Sequence, residues 1–340
     1  MFSPSSSRGI AGRRYFPVFA AAAALAAATV HAPVAAQGTA FPVKPMRMIV
    51  PFGAGGASDF VARVIAPRLA DALGQPMVIE NRAGAGGNVG MEFAARSAPD
   101  GYTVFLGNVG TLAINPHVYG PALKMDPLKE FAPVGLVSET TTMLLVHPSL
   151  PVQSVKELLA FVRARPGQLN YASAGAGSLS HLQMEMLAQQ SGLKIVHIPY
   201  KGGAGQAVTD VVAGHVTITL QTLTSVIAFA QSGKLRPLAV TTAKRLEQFP
   251  AVPTLREQGL DIVSTSWQGL LVPAGTPTDV VKRLHAAINQ SLPVPEVRER
   301  FATGATDVLL SASPQEFGDF MRVESARWAK VVREAGVKLD

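Results

Sequence analysis

The sequence of 340 residues is 48% apolar and 16% charged, a balance far from that of a disordered chain and sufficient for one large core or two smaller ones. Its formal net charge of +7 falls to +4 when Arg8, Arg13 and Arg14 are set aside with the leader described below, and the remaining Lys and Arg are scattered, which excludes a nucleic-acid footprint. The chain has no Cys, so disulfides, thiol catalysis, zinc–thiolate centres and cysteine-held haem or iron–sulfur clusters are excluded.

In chain order, residues 1–36 carry a basic, Ser-rich start, an Ala-dominated apolar run from Pro17 to Val30, and small residues Val34 and Ala36 that suit a cleavage site. The segment reads as a cleavable signal peptide. Its apolar run is shorter than the roughly 20 residues a transmembrane helix needs, with an uncleaved anchor as the alternative. Arg13-Arg14-Tyr15-Phe16 resembles a twin-arginine signal, although Pro17 weakens that pattern.

From there brief apolar runs alternate with helical periods, the signature of α/β layers with mostly parallel sheets. "MRMIV" (46–50) predicts a strand and "MVIE" (77–80) a second. Between them Phe60, Val61, Val64, Ile65, Leu69 and Leu73 recur at helical spacing up to a C-cap glycine, Gly74, with a kink expected at Pro67. "PDGY" (99–102) is a turn and "TVFLG" (103–107) a third strand. Ser154 and Ser313 each precede a Glu by three residues, the capping-box spacing at a helix start.

A weak internal repeat is the informative feature. "RMIVPFGAGGASDF" leads to a helix, Gly74, a strand and the Gly-rich turn "NRAGAGG". Further on, "LNYASAGAGSLSHL" leads to a helix, Gly192, the strand "KIVHI" and the turn "PYKGGAG". Two lobes on one plan, with a ligand between them, would produce this pattern. Where such a bare turn enters a helix, the first amides have no intrahelical partner and carry the positive end of the helix dipole, about half an elementary charge. Glycine lets a ligand approach that backbone, so the site favours anions.

Ser58, Asp59 and Ser178 fit helix caps, with ligand contact as the alternative; a carboxylate at Asp59 would repel an anion unless it is occupied by amides. Ser173, Ser178 and His181 are candidate contacts. "PYKGG" offers Lys201 either to a phosphate or to solvent. Enzymatic readings fare worse: "GASDF" has Phe60 where a nucleophile elbow requires glycine, and His181 with Glu185 is no HExxH zinc motif. No metal or cofactor is expected.

These residues, together with "PVKPMRMIVPFGAGGASDFVARVIAPRLADALGQPMVIENRAGAGGNVG", "APDGYTVFLGN", "NPHVY", "HIPYKGGAGQAVTDVVAGHV", "GKLRPLAVTTAKR" and "VPTLREQG", resemble the extracytoplasmic substrate-binding receptors of tripartite tricarboxylate transporters, the Bug receptors, over nearly the whole mature chain. The resemblance implies an α/β periplasmic binding-protein fold of type II, two lobes joined by two crossing strands. It implies a monomeric, non-enzymatic periplasmic receptor that takes a small carboxylate and hands it to the membrane subunits of a transporter. Carried over by position, the first loop is Phe52, Gly53, Ala54, Gly55 and Gly56 with Ser58 and Asp59. The second is Ser173, Ala174 and Gly175 with Ser178 and His181. Asn108 and Thr111 would line the first lobe's wall, and Gln221 and Thr222 would discriminate ligands. "TLQT" has no carboxylate to read an amino group, which favours an unsubstituted or hydroxylated di- or tricarboxylate over an amino acid. The expected lobes are 38–145 plus 266–340, and 146–265. Trp267 either covers the cleft or fills the hinge core. The competing readings are an exported serine hydrolase using Ser178 and His181, and a ligand sensor on the same fold.

Overall fold

The structure is a computed structural model that describes residues 41–339 apart from 201 and 202. The signal-peptide expectation for 1–36 and the reading of Lys201 therefore lie outside the described residues.

Strand β1 (Met46–Val50) runs through a bare turn into helix α1 (Ala57–Leu73), then β2 (Met77–Asn81), α2 (Asn88–Ala95) and β3 (Thr103–Asn108). A π-helical turn (Gly110–Ile114) and the short helices α3 (Asn115–Val118) and α4 (Pro127–Glu130) lead to the long β4 (Phe131–Thr140). α1 continues through Pro67, where a kink was expected. The ring sits on the solvent side of the helix, where water can serve the carbonyl that loses its donor.

After a break at Thr141 the chain forms β5 (Thr142–Val146), α5 (Val155–Arg163), β6 (Asn170–Ser173), α6 (Leu179–Ser191), β7 (Val196–Pro199), α7 (Gly203–Val212), β8 (Ile218–Thr222), α8 (Leu223–Gln231) and β9 (Arg236–Val240). It returns through β10 (Ser266–Pro273) and closes with α9 (Thr278–Ser291), α10 (Pro295–Thr303), β11 (Thr306–Val308) and α11 (Pro314–Ala335).

Two sheets result, one ordered β11-β4-β10-β3-β1-β2 and the other β7-β6-β8-β5-β9. β5 pairs with β8 and β9, so the chain leaves the first sheet at Thr141, and Thr142–Leu145, expected in the first lobe, belongs to the second. The reason is a pairing one: the Thr142 carbonyl accepts from the Thr241 amide at 3.1 Å, extending the second sheet back to the crossing.

Each sheet is covered on both faces, as parallel strands require. On the first sheet α1, α9 and α10 bury Val61, Ile65, Leu284 and Phe301 against Met48, Leu106, Leu270 and Val272. Its other face carries α2, α11 and the π-helical turn around Phe105, Leu271, Phe317 and Trp328. On the second sheet α5 and α6 cover Leu144, Tyr171 and Leu220, and α7 and α8 cover Met143, Leu145 and Ala172.

The crossings are fastened by hydroxyls. Thr142 Oγ1 and Thr241 Oγ1 lie 2.6 Å apart, and Gln183 Nε2 donates to Thr142 Oγ1 at 2.9 Å and to Ser264 Oγ at 2.6 Å. Trp267 is 1% exposed, donates to Glu324 Oε2 at 2.8 Å and meets Phe317 and Phe320 edge-on, so it fills the hinge core.

Candidate ligand-binding cleft

The carboxyl ends of β1 and β3 in one sheet and of β6 and β8 in the other are where an open α/β sheet places ligand loops. The first loop leaves Gly53, Ala54, Gly55 and Gly56 exposed, with Phe52 half-buried. Gly55 has φ +84, a left-handed conformation that glycine adopts without strain. Its amide donates to Asp59 Oδ2 at 2.9 Å. That oxygen also takes Arg63 Nε at 2.8 Å, while Oδ1 takes Asn81 Nδ2 at 3.0 Å, and the same Asn81 nitrogen donates to the Phe52 carbonyl. Burial pushes the Asp59 carboxyl up, but hydrogen bonds from Arg63, Gly55 and Asn81 together hold it below its ordinary value.

Asp59 thus faces inward and ties the loop down. Neither it nor Ser58 caps α1; the N-cap is Gly56, without a side-chain hydrogen bond. The amides of Ala57 and Ser58 have no partner among the described residues. What is left at the surface is an uncapped helix end with its one nearby carboxylate retracted.

The adjacent turn at 84–87 seats this loop. A Cβ on Gly87, at φ +97, would lie 2.6 Å from Thr111 Cγ2 and 3.2 Å from Phe52 Cζ. Asn115 Nδ2 holds the turn through the Gly86 carbonyl at 3.0 Å and Asn88 Oδ1 at 2.6 Å. Asn108 and Thr111 bond to each other: the Thr111 amide donates to Asn108 Oδ1 at 2.9 Å and the Asn108 amide to Thr111 Oγ1 at 3.1 Å. Thr111 is fully buried and acts as wall packing.

The second loop is built differently. Ser173 Oγ bonds His197 Nε2 at 2.6 Å and accepts from the Gly175 amide at 3.1 Å. Ser180 Oγ accepts from the Ala174 amide at 2.9 Å, and His181 Nδ1 from the Gly177 amide at 3.0 Å. Ser178 is the N-cap of α6, accepting from the His181 amide. The His181 and His197 rings stack at 3.7 Å, with Tyr171 stacked on His197 at 5.0 Å and donating to Glu185 Oε1 at 2.6 Å. Burial pushes both imidazoles down to about 4, leaving them neutral at pH 7. Of the residues expected to touch a ligand, Ser173 spends its hydroxyl on Gly175 and His197, and His181 spends Nδ1 on Gly177 with Nε2 3.8 Å from Glu185 Oε1. Ser178 Oγ bonds Ser180 Oγ at 3.1 Å, and the His181 ring accepts from Gly177, so the pair is not arranged as nucleophile and base.

Gln221 is 2% exposed, and its Nε2 has no partner among the described residues; Thr222 Oγ1 lies 3.1 Å from Ser225 Oγ. Gly87, Ser180 and His197 are not among the candidate contacts the sequence offers: Gly87 shows only as part of the turn "NRAGAGG", and nothing local marks the other two. Two grooves of about 550 and 530 Å³ lie at the outer edge of the first sheet, among Arg47, Arg82, Phe93, Lys44 and Val78. Arg82 is paired with Glu80 and stacked on Phe93, and Arg96 is paired with Glu92, whereas Arg47 donates to Thr103 Oγ1 and has no carboxylate partner among the described residues.

Residues 61–337 match the tripartite tricarboxylate transporter family receptor. The chain is 40% identical over 318 residues to Protein BugT of Bordetella pertussis, covering 93% of this chain and 96% of that one. Among solved structures, Rpa4515 of R. palustris with adipate superposes with a TM-score of 0.80 at 35% identity, covering 88% of this chain and 99% of that chain. MatC of Rhodopseudomonas palustris with bound malate gives 0.76 at 33%, covering 86% and 100%. The chain belongs to the tripartite tricarboxylate transporter receptor family: it is a ligand-binding receptor on a type II periplasmic binding-protein fold, and not an enzyme.

Proposed function

We propose that the protein captures a small carboxylate, of the di- or tricarboxylate class, in the periplasm and delivers it to the membrane subunits of a tripartite tricarboxylate-type transporter. The observation that carries this reading is the uncapped start of α1, where the Gly53–Gly56 backbone is exposed and the Ala57 and Ser58 amides lack partners among the described residues. A ligand carboxylate docks there, and Asp59 supports the site from behind by holding Gly55 and Asn81. Charge-assisted hydrogen bonds contribute about 1.5 to 3 kcal/mol each, so three or four cover the roughly 8 kcal/mol of micromolar binding once association entropy is met. Relatives solved with adipate and with malate support the ligand class.

The second lobe closes over the ligand by hinge motion at Thr141 and Ser264–Ser266, with Gln221 and Thr222 approaching from β8. The receptor works as a monomer, with the closed state recognised by its membrane partner. Calorimetric titration of the mature chain with succinate, malate, citrate, adipate and glutamate tests this. Saturable heat with at least one diacid or triacid is expected; no response to any of them would contradict it.

A further inference from the structure

Among the described residues, five enclosed side-chain polar atoms have no hydrogen-bond partner, and four of them gather near the crossings: Ser138 Oγ, Gln183 Oε1, Gln221 Nε2 and Gln268 Oε1. Gln183 is anchored to the hinge through its other amide atom. Ser138 and Gln268 have no such explanation. They are 0% and 1% exposed, and an enclosed polar atom without a partner is both costly and rare.

The strand register locates them. Gln268 of β10 stands opposite Asn108 of β3 on one side and Ser138 of β4 on the other, so the three side chains form a row on one face of the first sheet. Further along β10, Leu270 and Val272 share that face and belong to the core beneath α1, whereas Trp267 and Leu271 belong to the core beneath α11. The row therefore lies on the α1 face, at the end where β1 and β3 finish and α1 begins. That is the face and the end of the sheet at which the open amides of the first loop sit. The side wall is shared between lobes: Thr224 Oγ1 of α8 donates to the Gly304 carbonyl, and Gly304 packs against Phe60.

The row is polar and uncharged. Asn108 Oδ1 is already committed to the Thr111 amide. Ser138 can donate or accept, and a Gln amide can turn either its oxygen or its nitrogen toward a ligand. The pair fits a hydroxyl, which also does both, and supplies no countercharge for a second carboxylate or an ammonium.

We propose that Ser138 and Gln268 form a hydroxyl-reading subsite at the base of the cleft, and that the preferred ligand is a hydroxylated carboxylate. The proposal rests on the carboxylate-receptor reading. The carboxylate meets the first loop while its hydroxyl completes the row that the folded chain leaves unsatisfied.

The test is calorimetry on the mature chain with matched pairs, succinate and malate, adipate and 3-hydroxyadipate, tricarballylate and citrate, using wild type, Ser138→Ala and Gln268→Leu. In wild type the hydroxylated member of at least one pair should bind about tenfold more tightly, one well-made hydrogen bond. Each substitution should bring that ratio to within about twofold while leaving the deoxy acid unchanged. If Gln268→Leu does not fold, Ser138→Ala carries the test alone. Equal affinities within every pair overturn the proposal. So does an equal loss for both members of a pair, which would mean that a structural water satisfies these atoms. Binding of deoxy acids without discrimination leaves the receptor reading standing and removes only this subsite; binding of none of the six removes both.

Discussion

The two loops begin from one pattern, strand, Gly-rich turn and helix, and differ in how many of their amides side chains occupy. The first keeps its helix-start amides open and uses a buried carboxylate to hold the turn in shape. The second occupies its Ala174, Gly175, Gly177 and His181 amides with Ser180, Ser173, His181 and Ser178, and leaves those of Ala176, Leu179 and Ser180 without a partner among the described residues. A bare turn in a sequence is therefore only half of an anion site. The other half is how many of the amides nearby side chains occupy, and here they take one in the first loop and four in the second. The proposed site therefore places anion capture chiefly at the first loop, with the second as the more tightly braced partner.

The largest effect should come from removing the first loop's seat. Gly87→Val forces a Cβ into Thr111 and Phe52 at a positive φ, and equilibrium urea unfolding should register a loss of about 3 kcal/mol together with abolished carboxylate binding. Retained binding would mean that the first loop does not depend on that seat.

The second loop should instead respond to pH. His181 and His197 have folded-state values near 4 against an ordinary 6.5, so the unfolded chain takes up protons first as pH falls. The stability they contribute is complete above pH 6.5 and is lost progressively down to about pH 4, on the order of 3 kcal/mol for each histidine. The groups facing them, Ser173, Glu185 and Tyr171, remain in place in His197→Gln, which should flatten the profile in urea titrations between pH 7 and 4. An unchanged slope would remove the histidines as its source.

A smaller effect is expected for Asp59→Ala, which releases Gly55, Asn81 and Arg63 at once. About 2 kcal/mol of stability and about tenfold in carboxylate affinity should go, with pH dependence above 5 unchanged. The smallest and sharpest comparison pairs Gly55→Ala with Gly175→Ala. Both glycines have positive φ, at +84 and +121, so each substitution should cost about 1 kcal/mol. Only Gly55→Ala should weaken ligand binding; equal losses of affinity would place both loops in the site.

How much of this was legible follows from where the partners lie in the chain. The capping boxes at Ser154 and Ser313 and the αL glycines at Gly74 and Gly192 could be read because each depends on residues within one turn. Asp59 could be recognised as a residue that must be occupied, but not by what: Asn81 comes from β2 and Gly55 from a turn whose shape the tertiary fold sets. His197 sits 24 residues from the Ser173 it bonds, brought alongside by the pairing of β6 with β7. Ser138 and Gln268 read as ordinary strand polar residues, and only the register across β3, β10 and β4 aligns them. The boundary at Thr141 was missed because β4 and β5 are one nearly continuous run, and pairing alone tells which sheet claims each half.

The most direct measurement is a crystal structure of the mature protein with a bound di- or tricarboxylate. It should find carboxylate oxygens at about 2.7 to 3.2 Å from amides within Gly53–Ser58, with the Ser173–His197 and Gly177–His181 hydrogen bonds unbroken. A carboxylate held by the second loop alone, with those bonds broken to receive it, would contradict the account.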